Sequence, residues 1–347
     1  MHAPIACHTL SLRRHRGSRG RPAYPRGCQL GEHGLYGTRR QRRLSGDLSK
    51  DDFEVLEDGI PQRISFFARS LDVPLSLALI TDVSGSQEHF VKRHRHDMKE
   101  FLKEVLSPRD RAFLVCFGNH LRLVSDFTAS SQSLMDALDQ FDHGDRHFPE
   151  LEPDEDRELS TAFYDALYYA VTAKLAAVEG GRRALIVFSD GEDNSSAHHM
   201  LDAIESAQTG DTRIFAMRYT ERKHGRLTAR NKYGTSVMER IARETGGVDF
   251  DAGKGNVRAI FRQIGEDLRA SYELAYVSTY PVRDGTFRKV AIRPRQVGLS
   301  VRAKTGYLAR WGPLRARGMP NCRAGPRRKS PNTVSALFRH QETIIAP

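Results

Sequence analysis

The chain has 347 residues, 39% of them apolar, enough for one large domain or two ordinary ones built around a real core. No run approaches the ~18 consecutive apolar residues of a membrane-spanning helix, and the N-terminal stretch lacks the apolar segment of a secretory signal. The net charge of +11 is unevenly placed: residues 1–50 carry +9 and 312–347 carry +6, which leaves −4 for 51–311. The part that folds is mildly acidic, so the basic total makes no case for a specific nucleic-acid-binding domain.

Residues 1–47 are rich in Arg, Gly and His and show neither helical nor strand periodicity, so they are expected to be a basic segment without structure. From 48 to 72, Asp51-Asp-Phe-Glu-Val-Leu-Glu-Asp-Gly59 and the apolar run after it predict two short strands about an Asp-Gly turn. Residues 73–271 then alternate strand and helix. Leu75-Ser-Leu-Ala-Leu-Ile-Thr81 is a short apolar run typical of a strand buried on both faces, and Met98, Phe101, Leu102 and Val105 give the following helix one apolar side. A strand over 112–117 with a hairpin partner at 121–124, helices around 131–141 and 161–178, and a second buried strand at 183–188 continue the series. A helix at 198–208, a strand at 213–217, a helix at 236–245, a strand at 248–250 and a last helix through Leu268 complete it. The class is α/β, a doubly wound, mostly parallel sheet with helices on both faces. Strand-like segments within 272–311 are predicted to pair with 48–72 as a small flanking antiparallel β module, and 312–347 to be a disordered basic tail.

In such sheets ligands sit at the carboxyl ends of strands, beside the topological switch point. Two loops there carry chemistry. Asp82-Val-Ser-Gly-Ser86 ends the first buried strand, and its i, i+2, i+4 spacing brings one carboxylate and two hydroxyls together; Asp190 ends the second, and Thr161 opens the helix before it. Oxygen donors of this kind suit Mg²⁺, with Mn²⁺ or Ca²⁺ as alternatives. Hydroxyls are weak ligands, so the ion stays electrophilic and keeps a place for an acidic group from outside. Against this stands the ordinary use of Ser and Asp as helix caps. Glu192 and Asp193 add charge near the metal as a ligand rim, or form a plain exposed acidic turn.

Asp82-Val-Ser-Gly-Ser86, Thr161 and Ser189-Asp190-Gly191, in that order and on those elements, resemble the metal-ion-dependent adhesion site of von Willebrand factor A domains. The resemblance covers about residues 73–270. It implies a six-stranded sheet, metal ligands at Asp82, Ser84, Ser86, Thr161 and Asp190, and a Glu or Asp from a partner protein to complete the shell. The flanks, Asp51 to Gln62, Asp284 to Val290 and Val301 to Tyr307, are similar to the bacterial VWFA-related proteins best known from Acidobacteria. That resemblance implies an exported protein, although the expected export signal is replaced by Arg-rich sequence, which points to a misassigned start for 1–47.

Other chemistries fare worse. A haloacid-dehalogenase-type phosphatase needs a second acid where Ser84 stands, Gly253-Lys-Gly255 is not a P-loop, and no Gly-x-Ser-x-Gly turn occurs. No catalysis is expected. The alternatives are a hydrolase using the same ion with Glu192 or Asp193 as base, and nucleic-acid binding through the Arg-rich tails. His89, His94, His96, His198 and His199 lack metal-ligand spacing and are expected to be solvated. Cys116, inside an apolar strand, is expected to be a buried structural thiol, and the basic stretch 221–233 is long for a loop and is a candidate part of a recognition rim.

Overall fold

The computed structural model describes residues 5–14, 48–118, 120–141, 147–151, 161–223, 226–254, 256–280, 282, 284–296, 299–309 and 343–344. In chain order these begin with β1 (Ile5–Arg14), β2 (Phe53–Glu57), β3 (Ile60–Gln62) and β4 (Ile64–Leu71). The α/β unit follows: β5 (Leu75–Asp82), α1 (Val91–Val105), β6 (Arg111–Phe117), β7 (Leu121–Thr128), α2 (Ser131–Gln140), α3 (Phe163–Tyr169) and β8 (Arg182–Ser189). It continues through α4 (Met200–Thr209), β9 (Thr212–Arg218), the two-residue strands β10 (Arg222–Lys223) and β11 (Arg226–Leu227), α5 (Ala229–Glu244), β12 (Asp249–Asp251) and α6 (Val257–Arg269). Last come β13 (Ala270–Val277), β14 (Phe287–Pro294), β15 (Leu299–Arg302), β16 (Gly306–Leu308) and β17 (Thr343–Ile344).

The central sheet has six strands in the order β12-β9-β8-β5-β6-β7, parallel except for the edge hairpin β6–β7. Its middle strands β5 and β8 are buried at nearly every position because both faces are covered. Leu75, Leu77 and Leu79 of β5 pack with Met98, Phe101 and Phe261 from α1 and α6, while Ala78 and Ile80 pack with Phe163, Leu167 and Ile204 from α3 and α4. Each such side chain taken fully out of water contributes about 1.5–3 kcal/mol, which is why this double layer forms the stable frame. Cys116 lies in it, buried, with its thiol pushed up by that burial.

The flanking strands make two further sheets, β16-β14-β2-β3 and one in which β13 pairs with β1, β4 and β17 and β1 pairs with β15. They face each other across Phe53, Val55, Tyr272, Leu274, Tyr276 and Val290. At the centre of this sandwich the buried carboxylate of Glu57 accepts from Tyr276 Oη at 2.6 Å, Ser278 Oγ at 2.5 Å and Tyr307 Oη at 2.9 Å, so one acid joins β2, β13 and β16.

Four features depart from the sequence reading. Ile5–Arg14, expected to lie in a structureless basic segment, forms β1 in register with β13 (Cys7 opposite Ala275) and with β15 (Leu12 opposite Val301). β1 lies between β13 and β15, and these partners, distant in sequence, supply its backbone hydrogen bonds. Thr343–Ile344, inside the expected disordered tail, likewise pairs with β13 as β17, Ile344 opposite Tyr272, and the expectations for 1–4, 15–47, 310–342 and 345–347 lie outside the described residues. The helix placed at 236–245 begins seven residues earlier, at Ala229, capped by Thr228 Oγ1, which accepts from the Asn231 amide at 3.1 Å. His94, expected to be solvated, is buried against Tyr219, the ring centroids 4.2 Å apart.

Candidate metal centre

β5 and β8 are adjacent parallel strands with Thr81 opposite Phe188, so the chain leaves the sheet at Asp82 and at Ser189 side by side. β5 continues to β6 on one side while β8, β9 and β12 build out on the other, which makes the β5/β8 boundary the switch point of the sheet. The Asp82 carboxylate is fully buried. One oxygen accepts from the Ser84 amide at 3.0 Å and the other from Ser189 Oγ at 2.6 Å. Ser84 Oγ and Ser86 Oγ stand 3.2 Å apart, and Ser86 Oγ donates to Asp190 Oδ2 at 3.1 Å. Four of the five expected ligands therefore form one hydrogen-bonded cluster. Ser84 makes no side-chain cap to the short helical turn Gly85–Phe90, so the capping alternative does not describe it.

Thr161, the fifth, is tied by its backbone to the loop that follows Asp190, and its hydroxyl makes no hydrogen bond to the cluster among the described residues. Its amide donates to Asn194 Oδ1 at 2.9 Å, and its carbonyl accepts from the amides of Asn194 and Ser195 at 3.0 and 3.1 Å. Asp165, four residues on and fully buried, accepts from the amides of Ala197 and His198 at 3.0 and 2.9 Å and lies 2.8 Å from His198 Nδ1. The His198 ring stacks on Tyr168 with centroids 3.7 Å apart. The start of α3 thus clasps the loop that carries Asp190.

A second clasp comes from α5. Gly191 has φ +80°, a left-handed conformation that glycine adopts without strain, and a Cβ there would meet the Gly234 carbonyl at 2.5 Å. Gly234 is equally constrained: its Cβ would stand 2.3 Å from the Asp190 carbonyl. The helix backbone consequently lies flush on Asp190-Gly191. Glu192 and Asp193 do not form a plain exposed acidic turn. Glu192 is buried, paired with Arg230 and within 3.4 Å of Asn231 Nδ2, and Asp193 accepts from the Tyr164 amide at 3.3 Å and from Ser196 Oγ.

The electrostatics are those of a site short of positive charge. Burial pushes Asp82 up to about 7, and the negative charge of Asp190 adds to the effect against the hydrogen bonds from Ser189 and Ser84. Asp190 is also raised by burial, although the Glu192 amide, Ser86 and Gln87 donate to it, and Glu192 is raised by burial and by Asp190. Two desolvated carboxylates that disfavour each other's ionisation suit a cation between them. The donors are all oxygen, as a hard divalent ion prefers. Among the described residues there is no group of three or more His, Cys, Asp and Glu side chains suited to a metal; in this set three of the five donors are hydroxyls.

Sequence reasoning missed several participants. Gln87, buried one residue after Ser86, donates to Asp190 Oδ2 at 2.7 Å and to the Tyr219 carbonyl at 3.3 Å. Ser189 was visible only as part of a motif, yet it holds Asp82 and also accepts from the Gly191 amide at 3.0 Å. His94 sits beneath the site with Nδ1 3.2 Å from the Asp82 carbonyl. Its helical spacing from Met98 and Phe101 was the available signal.

No family model and no curated protein sequence matches the chain. Solved structures do. An aerotolerance-related membrane protein from Bacteroides fragilis is 14% identical with a TM-score of 0.43, covering 56% of this chain and 98% of its own. BatB from Bacteroides thetaiotaomicron is 17% identical, TM-score 0.41, covering 55% and 98%. A von Willebrand factor type A protein from Catenulispora acidiphila is 11% identical, TM-score 0.42, covering 76% and 74%. The α/β unit has six strands with helices on both faces and carries the Asp-x-Ser-x-Ser and Ser-Asp-Gly turns on the two strands that flank the switch point, the arrangement expected from the resemblance to von Willebrand factor A domains. The narrower resemblance to the VWFA-related proteins of Acidobacteria is not confirmed by these comparisons. Among the described residues no helix is long and apolar enough to cross a membrane.

Proposed function

We propose that the chain is a metal-dependent protein-interaction module, in which Asp82, Ser84, Ser86, Thr161 and Asp190 hold Mg²⁺ and a Glu or Asp of a partner protein completes its shell. The observation that carries this reading is the pair of buried carboxylates, Asp82 and Asp190, joined through Ser84 and Ser86 and raised by burial. A bound divalent ion supplies the positive charge that lets both ionise and leaves the hydroxyl side weakly liganded, open to an outside carboxylate. Ser189 and the Ser84 amide orient Asp82, and Gln87 orients Asp190.

Binding is favoured over hydrolysis because the two candidate bases are engaged. Glu192 is held by Arg230 and Asn231, and Asp193 by Tyr164 and Ser196. The test is calorimetric titration of the full chain with Mg²⁺ and Mn²⁺, with Asp190→Ala and Ser84→Ala beside it. Saturable binding by the parent and none by Asp190→Ala is expected; equal heats from parent and variants would sink the proposal.

A further inference from the structure

We propose that residues 226–233, on β11 and the first turn of α5, form a second docking subsite that takes a run of acidic side chains next to the one at the metal centre. This rests on the reading just given and names the partner more closely, as an acidic protein segment and not a lone carboxylate.

Position comes first. β9 runs parallel beside β8 with Arg218 opposite Ser189, and the Tyr219 amide donates to the Ser189 carbonyl at 3.0 Å, so the segment leaves the sheet at the edge that carries Asp82 and Asp190. Its far end is fixed to the same loop, Arg230 and Asn231 on Glu192 and Gly234 on the Asp190 carbonyl. The start of α5, from Arg230 to Gly234, is therefore one wall of the centre, and β11 leads into it.

Charge comes second. Residues 226–233 hold Arg226, Arg230 and Lys232 and no acid, inside a region, 51–311, whose net charge is −4. Elsewhere on the helices Arg258 pairs with Glu100, Arg262 with Glu104 and Arg240 with Glu244. Here Arg226 and Lys232 are exposed and make no ion pair among the described residues. The Arg230 side chain stays 64% exposed even while it touches Glu192. Tyr233, 64% exposed, ends the wall with an aromatic ring, and Tyr with Arg is the pairing enriched at protein interfaces. A concentrated positive strip steers and orients an oppositely charged segment. A protein segment fits better than a nucleic-acid strand, because it can place one carboxylate on the metal and the rest on the strip.

The experiment uses the full chain at saturating Mg²⁺ and fluorescence anisotropy with two labelled peptides, one of ten glutamates and one Gly-Ser peptide of equal length with a single central glutamate. The parent is expected to prefer the first by about tenfold, the sum of several exposed charge pairs. In Arg226→Glu/Lys232→Glu, whose side chains are exposed, that preference is expected to vanish while affinity for the single-glutamate peptide is unchanged. An equal preference in parent and variant overturns the subsite and leaves the metal centre standing. Failure of the parent to bind either peptide overturns both readings. Single-stranded DNA of ten nucleotides bound as tightly as the glutamate peptide, with the same loss in the variant, overturns the assignment to a protein segment.

Discussion

Replacing Gly234 by alanine sets two effects of known size against each other. In an ordinary helix interior the change stabilises by about 0.8–1 kcal/mol, because glycine gives up the most backbone freedom on folding. At this position the new Cβ would stand 2.3 Å from the carbonyl oxygen of Asp190, with the Asp190 carbonyl carbon and Gly191 also within 3.3 Å. Those are backbone atoms on both sides, so no side chain can swing away, and overpacking of this kind costs about 1–3 kcal/mol or more. The clash wins and Gly234→Ala is expected to lose about 1–2 kcal/mol net, a fall of several degrees in Tm. Gly265 in α6 is the control. Its Cβ would meet Val105 Cγ2 at 3.6 Å, an ordinary contact, so Gly265→Ala is expected to raise stability by up to about 1 kcal/mol. Urea denaturation and thermal melts of both variants decide the matter, and Mg²⁺ titration of Gly234→Ala is expected to show weakened binding because Asp190 must shift. If Gly234→Ala stabilised the protein as much as Gly265→Ala, α5 would not rest on the metal loop as described.

Burial holds His94 down to about 3, below its ordinary value, so the folded protein keeps a neutral ring that the unfolded chain would protonate. Its contribution is fully present above pH 6.5 and is lost as pH falls from there toward 3, at up to about 1.4 kcal/mol per pH unit. His94→Phe is expected to flatten the acid limb of a Tm-against-pH curve between pH 6.5 and 4, and parallel limbs would contradict the buried neutral ring. Asp165→Ala leaves the amides of Ala197 and His198 without their acceptor and is expected to cost about 2–4 kcal/mol. Faster hydrogen exchange confined to 190–199 would show that the clasp was lost, and unchanged exchange there would refute its role. In the β sandwich, Glu57→Leu removes the acceptor shared by three hydroxyls and is expected to cost about 2–4 kcal/mol, while Glu57→Gln keeps an acceptor and costs less. Equal denaturation midpoints for the two variants would contradict this.

The frame of the α/β unit was legible because it obeys periodicity. Apolar runs such as Leu75 to Ile80 and Ala184 to Phe188 leave no solvent face, which places them at mid-sheet, and the loops that follow them carry the oxygen donors. Residues whose role depends on a partner distant in sequence were not legible in the same way. Gln87 reads as one polar residue in a polar turn until β8 brings Asp190 to it from 103 positions away. Glu192 reads as an exposed acid until α5 lays Arg230 and Asn231 over it. His94 reads as solvated only if residue type is weighed above spacing, since it falls on the buried side of α1 with Met98 and Phe101.

The displaced start of α5 shows how the two kinds of error are related. Gly234 is a poor helix residue, so local propensity puts the helix boundary after it. The structure keeps glycine there because a closer approach of helix to loop is possible with no side chain between them, and that approach fixes the metal loop. Extending the helix back to Ala229 also turns what looked like a long basic loop into a short hairpin and a first helical turn, with Arg230 anchored on Glu192. The same glycine that misleads a local reading thus positions both the acid that would hold the ion and the basic strip that would receive the rest of an acidic ligand.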